Sequence, residues 1–353
     1  MQSKVQVLKL SALIRFIISL LLLNFLFSCQ EAMNSKTDSK FELSSDIDSI
    51  VGKQFSGIIL IDIDGKQKYA KSFGYSNIKD SIALKLNDSF VIGSISKQIT
   101  AALIMKDVEA GFIQLNDPIG KYLNNIQLTW KDSVTIHHLL VHTSGVTSLD
   151  AELSQPAGNR FEYSQFGYQL LAEVIESVHH NSFENVANIF FTTKGLKNTH
   201  YPTYISDEHV GGYELLNPSA TNHFGNSTEN YPAAGSFIST ANDLVKWNYL
   251  LHQGKIISKP GFELMSKHHE TRQHPIFGTI NYGYGLTFLE GESSKCIGAL
   301  GYAPGFASLN YYFPETKTSV VVLNNVIAGL PDFNSVFDKH LQILNLVKQD
   351  QMN

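Results

Sequence analysis

An α/β fold is expected from this sequence: one antiparallel sheet, assembled from both ends of the chain and flanked by helices, with an inserted, mainly helical region. Three features point to it. An apolar run, a turn and a second run stand near the start; helical patterns fill the middle; three strand-like runs and a closing helix finish the chain. The 353 residues, 43% of them hydrophobic, suffice for a large core. They exclude a disordered tail, a coiled coil and a disulfide-stapled mini-protein. Lysine and arginine total 27 against 32 acids, a formal charge of −5 with no basic block, which argues against a nucleic-acid partner.

Residues 1–28 read as a signal peptide. Lys4, Lys9 and Arg15 stand there without an acid, residues 16–27 are almost wholly apolar, and Ser28-Cys29 follows. The apolar run is short for a bilayer span but has the dimensions of a secretory signal. A small residue followed by Cys resembles the lipobox of bacterial lipoproteins, whose cysteine is diacylated and becomes the mature N-terminus. The resemblance implies that Cys29 is lipidated and that the domain is anchored to a membrane, facing the periplasm or cell exterior. An ordinary cleaved signal or a short anchor helix is the alternative. Residues 29–46 are polar and read as a flexible tether. The folded domain is expected over 47–345, with 47–100 and 236–345 forming the α/β part, 101–235 the mainly helical part, and 346–353 a tail.

Phe55–Asp62 is the first strand, Asp64-Gly65 a hairpin turn and Gln67–Phe73 the returning strand. Ser94–Ala110 is apolar on nearly every side, so it is expected as a buried helix with Gly111 as its cap. Ile136–Val141, Tyr168–Val178 and Ser239–Leu251 are further helices, the last started by Thr240 or Asn242. Tyr284–Leu289, Phe306–Phe313 and Ser319–Asn324 read as strands, and Val336–Leu346 as the closing helix.

Chemistry concentrates at Gly93-Ser94-Ile95-Ser96-Lys97. Ser94 and Lys97 are three apart at a helix start, so their side chains share a face. A helix N-terminus offers free N–H groups to a developing oxyanion. Burial lowers a lysine pKa toward that of a base able to take a hydroxyl proton. Alone, Ser-x-x-Lys is weak; a serine cap beside a solvated lysine is the bland alternative.

The flanking segments narrow the choice. Phe90-Val-Ile-Gly-Ser-Ile-Ser-Lys-Gln-Ile-Thr-Ala-Ala resembles the active-site segment of the serine beta-lactamase and penicillin-binding-protein superfamily, closest to its class C, D-alanyl-D-alanine carboxypeptidase and family VIII esterase branch. Gly111-Phe-Ile-Gln-Leu-Asn-Asp-Pro, Thr135-Ile-His-His-Leu-Leu-Val-His-Thr-Ser-Gly145, Phe161-Glu-Tyr-Ser-Gln-Phe-Gly-Tyr and Ala234-Gly-Ser-Phe-Ile-Ser-Thr-Ala-Asn-Asp243 are similar to later motifs of that branch, in order. The resemblance spans about residues 47–345. It implies a beta-lactamase/transpeptidase-like fold and acyl transfer to Ser94, followed by hydrolysis. In its terms Lys97 is the base or proton shuttle, and Tyr163 serves the leaving group and the deacylating water. No metal or organic cofactor is implied; the partner is a small-molecule acyl or peptide substrate.

Two positions depart from the family. Gln165 stands where Asn is usual, and its extra methylene displaces the amide that recognises substrate. The Pro304-Gly305-Phe306 landmark puts the third motif at Ala299-Leu300-Gly301, so the usual Lys or His is Ala299 and the usual hydroxyl is Leu300. Gly301 still permits close approach by substrate, and the backbone N–H groups of Ser94 and Tyr302 match the oxyanion hole. Recognition of a substrate carboxylate is therefore expected to be lost, which favours ester-like turnover over beta-lactams.

Rival readings are a catalytically impaired superfamily member that binds a cell-wall fragment or partner, motivated by Gln165 and Ala299-Leu300, and a metallohydrolase. Histidines cluster at His137-His138, His142, His179-His180 and His268-His269. His138 and His142 are four apart, yet no Glu follows His138 as a metalloprotease motif requires, and packing or capping is the bland reading. Cys296 lacks the neighbouring His of a catalytic thiol and reads as a small apolar strand residue.

Overall fold

A computed structural model of the chain describes residues 43–52, 55–123, 127–202, 210–217, 220–224, 231–290, 295–328 and 333–351. The expected signal peptide, Cys29 and the tether up to residue 42 lie outside the described residues. Residues 43–46, expected in the tether, instead open a helix, α1 (43–51). Leu43, Ile47 and Val51 recur every four residues, the spacing of one helix face. The chain falls into two compact units, 1–50 and 51–353, and the second carries the sheet and the site.

Strand β1 (Gly57–Ile63) turns back through Asp64 and Gly65 into β2 (Lys66–Phe73). Both turn residues have positive φ, 48° and 79°, as a two-residue hairpin requires. β3 (Tyr75–Asn77) pairs with β4 (Ile82–Ala83), and β5 (Phe90–Val91) leads into the buried helix α2 (Ser96–Glu109). The central region holds α3 (Ile136–Leu140), α4 (Gln165–His179) and α5 (Phe183–Lys194). It is not wholly helical: β6 (Gly212–Asn217) and β7 (Ala220–Phe224) form a hairpin there. β8 (Ile238–Ser239) returns to pair with β5, followed by α6 (Ala241–His252) and α7 (Lys259–Met265). Thr240 caps α6, its side chain accepting from the Asp243 N–H.

Six more strands complete the main sheet: β9 (Glu270–His274), β10 (Gly278–Tyr282), β11 (Thr287–Glu290), β12 (Lys295–Ala303), β13 (Phe306–Phe313) and β14 (Thr318–Asn324). Its order is β2-β1-β14-β13-β12-β11-β10-β9, antiparallel throughout. The two chain ends thus meet at β1 and β14, whose strands are buried along nearly their whole length. Helices cover both faces. On β13, Asn310 and Tyr312 meet Asn248 and Tyr249 of α6, while Ala307 packs with Val336 and Phe337 of the closing helix α8 (Phe333–Asp350). A short β15 (Val326–Ala328) runs parallel to β6.

The expected strand Tyr284–Leu289 shortens to β11. Tyr284 is drawn into a turn, where its N–H donates to the Met265 carbonyl. Among the described residues no helix is long and apolar enough to cross a membrane.

Candidate active site

Ser94 lies not in α2 but in the 3-10 turn Gly93–Ile95 that leads into it. Gly93 has φ +55°, and a Cβ there would collide with the Tyr302 backbone nitrogen. β12 faces this turn with its own glycine: a Cβ on Gly301 would collide with the Ile92 carbonyl oxygen and fall 3.2 Å from Ser94 N. Two glycines therefore bring the Ser94 and Tyr302 amides to one junction. This corrects the sequence expectation for Gly301, because its open side is filled by the chain's own turn rather than left for substrate. β11 pairs with β12 only as far as Gly298, so residues 299–303 keep a strand partner on the β13 side alone among the described residues.

The three side chains singled out from distant stretches converge. The Tyr163 hydroxyl donates to Ser94 Oγ at 2.8 Å, and Lys97 Nζ lies 3.3 Å from the same oxygen. Lys97 is buried and also reaches Gln165 Oε1 at 3.2 Å and the Ala234 carbonyl at 2.6 Å. Gln165 opens α4 behind the cap Ser164, and its longer side chain spans to Lys97. Ser94 is half-buried and Tyr163 is 39% exposed, so the group can be reached from solvent.

His142 holds Tyr163 in place. Its backbone takes φ 58°, an uncommon region for a residue with a side chain. Its carbonyl accepts from Glu162 N at 2.7 Å and its Nδ1 from Ser164 N at 3.1 Å, which pins the residues on either side of Tyr163. With Nδ1 accepting, Nε2 carries the proton and donates to Tyr282 OH at 3.1 Å. The imidazole lies 4.4 Å from the Tyr163 ring. Burial first, then Lys97 and Arg272, hold His142 well below the usual histidine range, so it is neutral.

Lys97 is pulled below the usual lysine range, chiefly by burial, although Tyr163 opposes the shift and Arg272 assists it. Burial alone would raise the Tyr163 phenol, but Lys97, the Ser94 hydroxyl and Arg272 outweigh it and lower the phenol. The two groups share protons as a pair. Loss of one proton from that pair makes a base beside Ser94, and the lowered values bring this loss below the pH at which a free lysine or tyrosine gives one up. Activity is accordingly expected to rise with pH along a limb whose apparent pKa is below that of a free lysine. A limb with an apparent pKa at or above that of a free lysine would contradict it.

The remaining predicted positions divide. Ala299 is buried in the core cluster that includes α2 and presents only a methyl group. Leu300, expected at the substrate, packs instead with Ala307, Val336 and Phe337 on the α8 side, as does the Tyr302 side chain. The reason is strand alternation: 300 and 302 share one face of β12, 299 and 301 the other. Only the backbone of Tyr302 is directed toward the site. Cys296 is buried, with its thiol pushed up to about 12 by desolvation. His138 is spent on a capping box with Thr135 and His179 on Asp107. Among the described residues no three His, Cys, Asp or Glu side chains gather as metal ligands.

Sequence reasoning missed Arg272 entirely. It comes from the edge strand β9, and its guanidinium carbon lies 5.0 Å from the Tyr163 ring centroid, 5.3 Å from Phe161 and 6.0 Å from Tyr282. Nothing in Glu-Thr-Arg-Gln-His marks it, because the signal is purely spatial.

A family model described as Beta-lactamase matches residues 43–344. A penicillin-binding protein of Bacillus subtilis (strain 168) is 25% identical over 314 residues, 77% of this chain and 68% of that one. A teichoic acid D-alanine hydrolase of Staphylococcus aureus is 27% identical over 282 residues, 73% and 68% of the two chains. Among solved structures, a D-amino acid amidase from Ochrobactrum anthropi SV3 complexed with L-phenylalanine amide superposes with a TM-score of 0.74 at 22% identity, covering 88% of this chain and 98% of the other, and shows the shared fold.

Proposed function

This chain belongs to the beta-lactamase family and is a serine hydrolase, and from that premise we propose that it cleaves ester-type acyl substrates through an acyl-enzyme on Ser94. One observation carries the reading: a half-buried serine oxygen bonded at 2.8 Å by a phenol and 3.3 Å from a buried amine. Ser94 Oγ attacks the substrate carbonyl while its proton passes to the Lys97–Tyr163 pair. The new oxyanion lies against the N–H groups of Ser94 and Tyr302. Tyr163 returns the proton to the leaving atom, and water repeats the sequence to release the acid. Lys97→Ala and Tyr163→Phe are each expected to lower kcat/KM at least about a hundredfold, measured with a p-nitrophenyl short-chain ester. Near-normal kinetics in either variant would remove that residue from the mechanism.

The preference for esters rests on Ala299, which supplies no cation on β12. Relatives named for D-alanine and D-amino acid chemistry support small D-amino acyl groups among the substrates. Nitrocefin, whose carboxylate sits on the fused ring next to the scissile bond, is expected to turn over far more slowly than p-nitrophenyl acetate. Efficient nitrocefin hydrolysis would overturn the preference. A fluorophosphonate probe followed by intact mass separates this enzyme from a non-catalytic binder: one adduct, absent in Ser94→Ala, is expected, and no adduct favours the binder.

The same reading keeps the domain outside the cytoplasm on a lipid at Cys29. Its support is the basic start, the apolar run and the position of the cysteine. Labelled palmitate should mark the wild-type chain and not Cys29→Ala; an unlabelled wild-type chain would refute the anchor.

A further inference from the structure

We propose that Arg272 is the anion receptor of this site, and that the preferred substrate carries a carboxylate on its leaving portion, several bonds from the cleaved linkage. The inference rests on the acyl-enzyme reading above and adds the substrate's charge and shape. Arg272 stands among the rings of Phe161, Tyr163 and Tyr282, which lie within 6.0 Å of its guanidinium carbon and engage its charge through their π faces without neutralising it. Among the described residues no carboxylate pairs with it, and its Nε is buried without a hydrogen-bond partner. A cation so placed invites a ligand acceptor. The other cation, Lys97, is buried and already engaged by Ser94, Gln165 and the Ala234 carbonyl. β12 contributes only Ala299. Arg272 is therefore the charge left to meet an anion, and it revises the expectation that carboxylate recognition is lost: the cation has moved to another strand.

Position selects which anion it meets. The oxyanion donors at Ser94 and Tyr302 fix the acyl oxygen beside β12, while Arg272 lies against Tyr163, the group that serves the leaving atom. β9 is three strands from β12 in the sheet, roughly 14 Å between backbones. The Arg272 guanidinium lies beside the Tyr163 ring, whose hydroxyl bonds Ser94, so a carboxylate carried across an extended leaving group past Tyr163 comes to it.

The test compares 4-acetoxybenzoate with its methyl ester, which differ in that charge, using the purified full chain. Wild-type protein should show the higher kcat/KM on the carboxylate, although its phenolate leaves less readily. Arg272→Gln should lower kcat/KM on the carboxylate roughly ten- to hundredfold more than on the methyl ester, the excess falling in KM, while the loss common to both esters reports the effect of the guanidinium on the Lys97–Tyr163 pair. Arg272→Lys should recover part of the loss, which separates charge from misfolding. Equal losses on both esters, with the pH profile shifted on both, would mean that Arg272 acts only through Tyr163 and would overturn the proposal. So would no loss on either. Failure of the acyl-enzyme reading looks different: wild-type protein would then leave the methyl ester intact and form no adduct on Ser94.

Discussion

Ser94→Ala is expected to bring hydrolysis of a p-nitrophenyl short-chain ester down to the uncatalysed background, a loss of about ten-thousandfold or more, with the melting temperature nearly unchanged. The substitution removes one half-buried oxygen and leaves the 3-10 turn, its glycine and the Lys97 contacts to Gln165 and Ala234 in place. No neighbour can substitute. Ser96, two residues on, is fully buried and its oxygen accepts from Phe237 N. Cys296 is buried with its thiol pushed up to about 12, so almost no thiolate exists at neutral pH. Steady-state rates and trapping of the acyl-enzyme by intact mass check the result. Turnover close to wild type in Ser94→Ala would end the mechanism, whatever the Lys97 and Tyr163 variants did.

Gly301→Ala is expected to lower kcat by roughly a hundred- to a thousandfold and to depress the melting temperature as well. One oxyanion donor is worth about 3–4 kcal/mol of barrier. Here a methyl group would drive into the Ile92 carbonyl and crowd Ser94 N, so β12 and the nucleophile turn must separate and the two amides lose their common junction. Leu300→Ala is the control. Its side chain packs on the α8 side, so the substitution should lower stability while kcat stays within about threefold. A Gly301→Ala enzyme with full kcat would show that Tyr302 N takes no part in stabilising the oxyanion. A Leu300→Ala enzyme with a collapsed kcat would return Leu300 to the substrate.

Local chemistry was readable wherever a residue's neighbours in the chain decide its state. The hairpin at Asp64-Gly65, the buried α2, the cap at Thr240 and the strands β13 and β14 follow from turn geometry and continuous burial, and they appear where periodicity puts them. Less legible were the edge strand β9 and its neighbour β10, both of mixed polarity, and α5, whose phenylalanines and threonines do not announce a helix. The helix carrying Lys97 begins two residues later than expected, because Gly93 and the approach of β12 hold Ser94 in a tighter turn.

The serine, lysine and tyrosine, as residue types and as ordered motifs, were already present in the linear string, since the spacing of Ser94 and Lys97 and the segment around Tyr163 are local facts. Their meeting within hydrogen-bond distance, the pinning of Tyr163 by a neutral His142, the turning of Leu300 away from the site and the arrival of Arg272 were settled only by packing. Each depends on which face a strand presents or on contacts between residues about twenty or more positions apart. Such relations have no period along the chain; they exist once the sheet has set its register and the core has excluded water.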